Sequence, residues 1–168
     1  MDNSLIFGEG GMNDLQQLKQ LGFEAYSAYL DILEQEGRDK LLASISNELT
    51  YKNLISMSTV FTCKMGNEMV GMAFFVPHGN PTEIYDADWC YIRFVAVHPK
   101  YSGAGIAQHL TRLCIDKAKE TNETIIALHT SEFMDAARHI YEKTGFRQLR
   151  EIPPRFGKKY WVYTLALK

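Results

Sequence analysis

A strand that runs straight into a Gly-x-Gly turn and then into an amphipathic helix constrains this chain more than anything else in it. The segment reads Val95-Ala-Val-His-Pro-Lys-Tyr-Ser-Gly-Ala-Gly-Ile-Ala107. Glycines at 103 and 105 let the backbone turn tightly and come close to a ligand. The helix behind them leaves its first N–H groups unpaired, at an end that carries partial positive charge. Such an end suits a phosphate or pyrophosphate, so the pattern predicts an anion site over residues 102 to 107.

Two phosphate-binding patterns are excluded by the details. A Walker loop needs Lys-Ser or Lys-Thr after its second glycine, where this chain has Ile106-Ala107. The dinucleotide fingerprint needs a third glycine or alanine near Gln108 and His109, and it sits on an early strand. This turn lies past the middle of the chain.

At 168 residues, the length suits one domain, 1–168, with a single substantial core. A net charge of −2 leaves no basic footprint for nucleic acid. No apolar run reaches membrane-spanning length, and Met1-Asp-Asn-Ser4 lacks a signal peptide's basic and apolar regions. Cys63, Cys90 and Cys114 are odd in number and widely spaced, which reads as reduced thiols in a cytoplasmic protein. No histidine pairs with another ligand at metal-binding spacing, so no metal is expected.

Patterning along the chain predicts a mixed α/β order. Residues 3–7 suit a short strand. Apolar positions from Leu15 to Leu33 suit a helix bent near Gly22, and Leu41, Leu42, Ile45 and Leu49 mark a second helix over 38–49. Residues 58–65 and 68–77 form a hairpin about Gly66-Asn67. Over 86–98 the odd positions Trp89, Tyr91, Arg93, Val95 and Val97 share one face, and Cys90, Ile92, Phe94 and Ala96 the other. Both faces are largely apolar, which predicts a central strand covered on both sides. Ile106, Leu110, Leu113, Cys114 and Ala118 make one helical stripe. A buried strand follows over 124–129. Thr130 or Ser131 is placed to cap the next helix, which Gly145 and Phe146 close. Residues 152–159 read as a loop and 160–167 as a final strand.

The 95–107 segment resembles the acetyl-CoA signature of the GCN5-related N-acetyltransferase (GNAT) family, Gln/Arg-x-x-Gly-x-Gly/Ala after a Val-x-Pro-like strand end. It is placed on Ser102, Gly103, Ala104, Gly105, Ile106 and Ala107, with Ser102 standing where the family usually has Gln or Arg. Ala137-Arg-His-Ile-Tyr-Glu-Lys-Thr-Gly-Phe146 is similar to the family's Ala-x-x-x-Tyr-x-x-x-Gly-Phe segment. With the flanking strands, the resemblance covers about residues 68 to 167. It implies the acyl-CoA N-acyltransferase fold: a mixed, mostly antiparallel sheet of about six or seven strands, helices on both faces, splayed where the cofactor enters.

The resemblance implies acetyl-CoA as cofactor and roles for particular residues. Phe94, Val95, Ala96 and Val97 pair their backbone with the pantetheine arm, and an N–H there, that of Val95, polarises the thioester carbonyl. Such an oriented donor is worth several kcal/mol in a transition state. Tyr141 corresponds to the family's general acid. A phenol with a reference pKa near 10 stays protonated at neutral pH and can protonate a departing thiolate. The spacing of Met134, Ala137 and Tyr141 at i, i+3, i+7 equally fits a core stripe. Met134 stands where many relatives place an Asn against the cofactor, and Thr130 takes over part of that polar contact. Tyr91 occupies the place of the glutamate base of many relatives. Glu83, Asp86 and Asp88 just upstream read as a solvated loop or as an acidic mouth that attracts a cationic amine.

His98, His129, Lys100, Arg138 and Lys143 read first as ordinary turn, core and surface residues, and no Cys–His pair suggests a covalent intermediate. The leading expectation is therefore an acetyl-CoA-dependent N-acetyltransferase, acting by direct transfer on a small-molecule amine, without nucleic-acid or membrane partners. A homodimer is expected from family habit and the apolar alternation of 160–167. Acetylation of a protein N-terminus or lysine, and a non-catalytic acyl-CoA-binding module, are the alternatives. Tyr26, Tyr29, Tyr91 and Phe156 are candidate liners of the acceptor site.

Overall fold

The structure is a computed structural model that describes residues 4–168; residue 3, the first of the expected opening strand, lies outside them. Strand β1 spans Leu5–Gly10. Helices α1 (Leu15–Ser27), α2 (Gln35–Ser46) and α3 (Glu48–Met57) follow, and then strands β2 (Thr59–Met65), β3 (Glu68–Val76) and β4 (Cys90–Val97). The rest is α4 (Ile106–Glu120), β5 (Ile125–Ser131), α5 (Asp135–Thr144), β6 (Arg147–Arg155) and β7 (Lys158–Ala166). The strands form one seven-stranded sheet in the order β1-β2-β3-β4-β5-β7-β6. Every neighbouring pair is antiparallel except β4 and β5. This is the mixed, mostly antiparallel α/β sheet expected from the resemblance.

The sheet carries a core on each face. One gathers Leu18, Leu21, Tyr51, Met72, Phe74 and Val162 under α1 and α3. The other gathers Phe75, Ile92, Ile106, Leu110, Cys114 and Tyr163 under α4 and α5. Gly71 lets α4 settle on β3: a Cβ there would stand 2.6 Å from the Ile106 side chain. The first turn of α4 is thereby held against the sheet.

Several elements depart from the sequence expectations. Helix α1 continues unbroken through Gly22. Gly22 is there for space, because a Cβ would meet the Tyr51 hydroxyl at 2.1 Å. The chain leaves the helix only after Ser27, and a short 3-10 turn, Leu30–Ile32, follows. Where one second helix was expected there are two, divided at Asn47, whose side chain accepts the Leu49 amide and caps α3. Neither Thr130 nor Ser131 caps α5. Both belong to β5, Ser131 Oγ donates to the Lys159 carbonyl, and Met134 takes the N-cap position without a side-chain bond.

The expected loop at 152–159 is mostly a hairpin between β6 and β7, turning at Phe156-Gly157. Pro153 and Pro154 hid β6 from sequence reading, yet this is an edge strand, where missing N–H groups do no harm. Strand β7 lies inside the sheet, so its apolar alternation is accounted for within the chain.

The strict odd–even alternation expected of 86–98 also fails. Phe94 has φ 55°, and between the Met72↔Ala96 and Phe74↔Arg93 pairs β4 carries one residue more than β3. That bulge reverses the faces. Trp89 and Tyr91 lie in the first core and so do Phe94 and Ala96, whereas Cys90, Ile92, Val95 and Val97 lie in the second.

Candidate active site

The same bulge opens the sheet. Strands β4 and β5 pair only at Cys90↔Ile126 and Tyr91↔Ala127, and beyond these the two diverge. The His98 backbone amide donates to the Val70 carbonyl across the β3–β4 ladder, at 2.8 Å. Backbone polar groups alternate sides along a strand, so those of Val97 and Val95 face the gap. The Tyr26 hydroxyl enters the gap and donates to the Val95 carbonyl at 3.1 Å. Burial pushes the Tyr26 pKa well up, with the neighbouring tyrosines 141, 29, 160 and 51 adding to it, so its proton stays in place.

Below the gap lies the Gly-x-Gly turn. Gly103 and Gly105 have φ +83° and +81°, values that favour glycine, and a Cβ on either would meet no atom within 4 Å. Gly105 is the N-cap of α4 and offers no side-chain cap. His109 donates the first helical bond, to the Gly105 carbonyl, so the amides of Ile106, Ala107 and Gln108 have no intrahelical acceptor. With the two glycines in register, the signature's Gln/Arg position falls on Lys100, three residues before Gly103, and not on Ser102. Both residues are exposed.

Gap and turn open into one cavity of about 830 Å³. Of the residues expected to hold acetyl-CoA, Phe94, Val95, Ala96, Val97, Ser102, Gly103, Gly105, Ile106, Ala107, Thr130, Met134, Ala137 and Tyr141 all line it. Ala104 does not; its amide bonds the Tyr101 carbonyl and closes the turn. Thr130 Oγ1 lies 3.6 Å from the Met134 sulfur, so the two side chains meet at the cavity wall. These features fit a pyrophosphate with an extended amide-bearing arm: free helix N–H groups, room at two glycines, and an unpaired strand edge.

Tyr141 sits on α5, on the second core's side of the sheet. It is buried but for its cavity-facing surface, and no group among the described residues bonds its hydroxyl. Burial raises its pKa, with small additions from Tyr29 and Cys114, so it remains a neutral phenol with a proton to give. Phe146 stacks edge-on to its ring, and Gly145 closes α5 at φ 112°, as expected from sequence.

The far end of the cavity is roofed. Tyr29 comes from the α1–α2 segment, Leu41, Ser44 and Ile45 from α2, and Arg155 and Phe156 from the β6–β7 turn. The turn packs directly on α2, where a Cβ at Gly37 would lie 2.5 Å from the Phe156 carbonyl oxygen. Tyr26, Tyr29 and Phe156 line the cavity. Tyr91 does not: it stacks on Tyr85 and donates to the Asn80 carbonyl at 2.9 Å. Asp86 and Asp88 are exposed and border no part of the cavity, and Glu83 borders only a smaller neighbouring one. No carboxylate is among the described lining residues, so the acidic-mouth reading has no support in the geometry.

Arg93 and His129 line both cavities, together with Arg155. The His129 Nδ1 and the Tyr85 hydroxyl are 2.5 Å apart. Burial, reinforced by Arg93 and Arg155, lowers the His129 pKa well below its ordinary value, so the ring is neutral. Arg93 was legible as a charge in an otherwise apolar strand, a placement that calls for a partner. Arg155, after two prolines, gave no signal. His98 is occupied, with Nε2 3.0 Å from Glu24 and Nδ1 accepting the Lys100 amide. Arg138 bonds Asp135 and lies over the Trp161 ring. Among the described residues no cluster of His, Cys, Asp and Glu forms a metal site, and no helix is long and apolar enough to cross a membrane.

The model of the acetyltransferase (GNAT) family matches residues 24–146. No curated protein is similar enough in sequence to match the chain. Solved structures share the fold. The ribosomal-protein-S18-alanine N-acetyltransferase from Escherichia coli superposes at TM-score 0.74 and 16% identity, over 98% of this chain and 95% of that one. The PaiA N-acetyltransferase from Thermoplasma acidophilum, in complex with coenzyme A, gives 0.77 and 14%, over 97% and 99%. YncA from Salmonella typhimurium, a putative acetyltransferase with its cofactor acetyl-CoA, gives 0.73 and 16%, over 99% and 95%. At these identities the likeness is one of fold.

Proposed function

This chain belongs to the acetyltransferase (GNAT) family, and we propose that it transfers an acetyl group from acetyl-CoA directly to the primary amine of a small molecule, in one ternary complex. The observation that carries this reading is the parting of β4 from β5 above a bare helix N-terminus, with Tyr141 on the wall of the cavity between them. The one seven-stranded sheet takes strands from both ends of the chain and supports reading these residues as a single domain.

Acetyl-CoA, when bound, supplies the thioester carbonyl and a thiol leaving group. The residues of this chain hold and orient it. The amides of Ile106, Ala107 and Gln108 take the pyrophosphate, as helix N-termini do. The gap-facing edge of Phe94 to Val97 would take the pantetheine arm as an added strand, and the Val95 N–H would polarise the thioester carbonyl. Tyr141 would hold its proton on Oη, give it to the sulfur as the C–S bond breaks, and be reprotonated by the proton the nitrogen loses as the amide forms. With no carboxylate on the described cavity wall, the amine enters in the neutral fraction it has in solution.

The roof supports a small acceptor over a protein one. A peptide needs an open trough across the sheet, and the β6–β7 turn closes on α2 at Gly37. Lysine side chains and protein N-termini are therefore the weaker reading. A module that only binds acyl-CoA gives no account of a cavity that continues past Tyr141 to this roof.

Calorimetry with acetyl-CoA, followed by an acetyl-transfer assay on a panel of small amines, tests the proposal. Micromolar stoichiometric binding that is lost in Gly105→Glu, with turnover on at least one small amine, is the expected result. Binding without turnover on any small amine, with transfer to peptides instead, overturns the small-acceptor reading. Absence of binding by folded protein overturns the cofactor site itself.

A further inference from the structure

The charges at the roofed end of the cavity are all of one sign. Arg93, on β4 beside the bulge, and Arg155, at the end of β6, both border this end. Both residues are half-buried, and neither side chain has an ion pair or hydrogen bond among the described residues. Arg138 and Arg150, by contrast, find partners: Arg138 bonds Asp135, and Arg150 bonds the Ile84 carbonyl and lies over the Trp89 ring. Glu83, the one carboxylate on the described lining of the smaller cavity, is exposed and forms an ion pair with neither. His129, which lines the same two cavities, is neutral and lends no counter-charge.

Two cations that border one cavity without a protein counter-ion are left to water or to a ligand anion. Guanidinium groups also offer the planar fork of donors that matches carboxylate or phosphate oxygens. The Gly-x-Gly turn accounts for the cofactor's pyrophosphate at the other end of the cavity. Arg93 lies before the bulge, on strand β4, whereas the gap-facing edge that would take the pantetheine arm begins after it.

We infer that Arg93 and Arg155 form an anion subsite for the acceptor, which is an amine that also carries an acidic oxygen group, a carboxylate or a phosphate. This rests on reading the cavity as the site of a small acetyl acceptor, and it narrows that acceptor to amino acids, amino-acid-like acids and phosphorylated amines. Unadorned diamines and polyamines are excluded, because the cavity meets them with positive charge and no described carboxylate. The amino group of such a zwitterion is directed away from the arginines, toward Tyr141 and the gap.

Matched acceptors test it. Free amino acids are assayed beside their carboxamides and decarboxylated amines, and amino alcohols beside their phosphate esters, with thiol release from acetyl-CoA as the readout. The acidic member of a pair is expected to have the higher kcat/KM by roughly tenfold or more, the scale of one lost charge-assisted bond. Whether the carboxylate or the phosphate series leads identifies the source of the anion. Arg93→Gln and Arg155→Gln each raise the acceptor KM, leave the acetyl-CoA KM in place, and bring the acid-to-amide ratio toward one. Equal or better use of the amide or polyamine overturns the subsite, while the small-acceptor reading survives. A rise in acetyl-CoA KM instead overturns it by placing the guanidiniums on cofactor phosphates. Cofactor binding with no turnover on any amine removes both readings together.

Discussion

Tyr26 donates its hydroxyl proton to the Val95 carbonyl across the open edge of the sheet, at 3.1 Å. It ties α1 to the one strand segment that has lost its neighbour, and its ring sits edge-on to Phe94 at the bulge. Removing this hydroxyl with Tyr26→Phe is expected to cost about 1 kcal/mol of stability, the usual value of such a bond. Because the bond orients the strand, kcat should fall more than acetyl-CoA affinity. Urea unfolding and steady-state kinetics check the two parts separately.

Tyr141→Phe deletes the proposed proton donor and leaves the ring against Phe146. A loss of roughly a hundredfold in kcat, with acetyl-CoA affinity little changed, is expected for a general acid. Turnover near the wild-type rate would instead assign Tyr141 to packing alone. Since burial raises its pKa above that of a free phenol, the wild-type rate should show no alkaline loss attributable to this group below about pH 10.

The neutrality of His129 makes a stability prediction with a definite sign. Its folded pKa is lowered, first by burial and then by Arg93 and Arg155. Below about pH 6.5 the unfolded chain takes up a proton that the folded chain refuses, so this residue lowers stability as pH falls. Surface-exposed His78 acts in the opposite sense, because hydrogen bonding and charge from Glu123 raise its pKa. His129→Gln should therefore flatten the acid side of the stability profile, and His78→Gln should steepen it, both read from melting temperatures between pH 5 and 8.

Gly22→Ala places a methyl 2.1 Å from the Tyr51 hydroxyl, which is buried and donates to the Ile45 carbonyl. The ring cannot swing away without losing that bond, and overpacking of this kind costs about 1–3 kcal/mol. Adding Tyr51→Phe removes the oxygen that clashes. The double variant should then be less destabilised than the sum of the singles, a coupling that denaturant titrations resolve.

Legibility in the sequence followed the locality of the physics. The Gly-x-Gly turn, the helical stripe behind it and the Gly145 closure each rest on residues within a turn or two of one another, and each is found as expected. Gly22 misled because its reason lies on Tyr51, far along the chain. The bulge at Phe94 carries no local mark, since bulky apolar residues on both faces hide a change of phase. Pro153 and Pro154 argue against a strand unless the strand is known to be an edge. That Arg93 and Arg155 line one cavity depends on two distant segments meeting, which no spacing rule encodes.

The two strand pairs that join β4 to β5 are all that stitches a four-strand half of the sheet to a three-strand half along their backbones. A ligand arm that supplies the missing ladder thus becomes part of the molecule's internal cohesion. Binding to the folded state alone adds RT ln(1 + [L]/Kd), about 2.7 kcal/mol at a hundredfold excess over Kd. The backbone amides of Val95 and Val97 would be among the first to gain protection from hydrogen exchange. In a cell, the concentration of coenzyme A, acylated or free, would set how long this chain resists unfolding and proteolysis, independently of how fast it turns over.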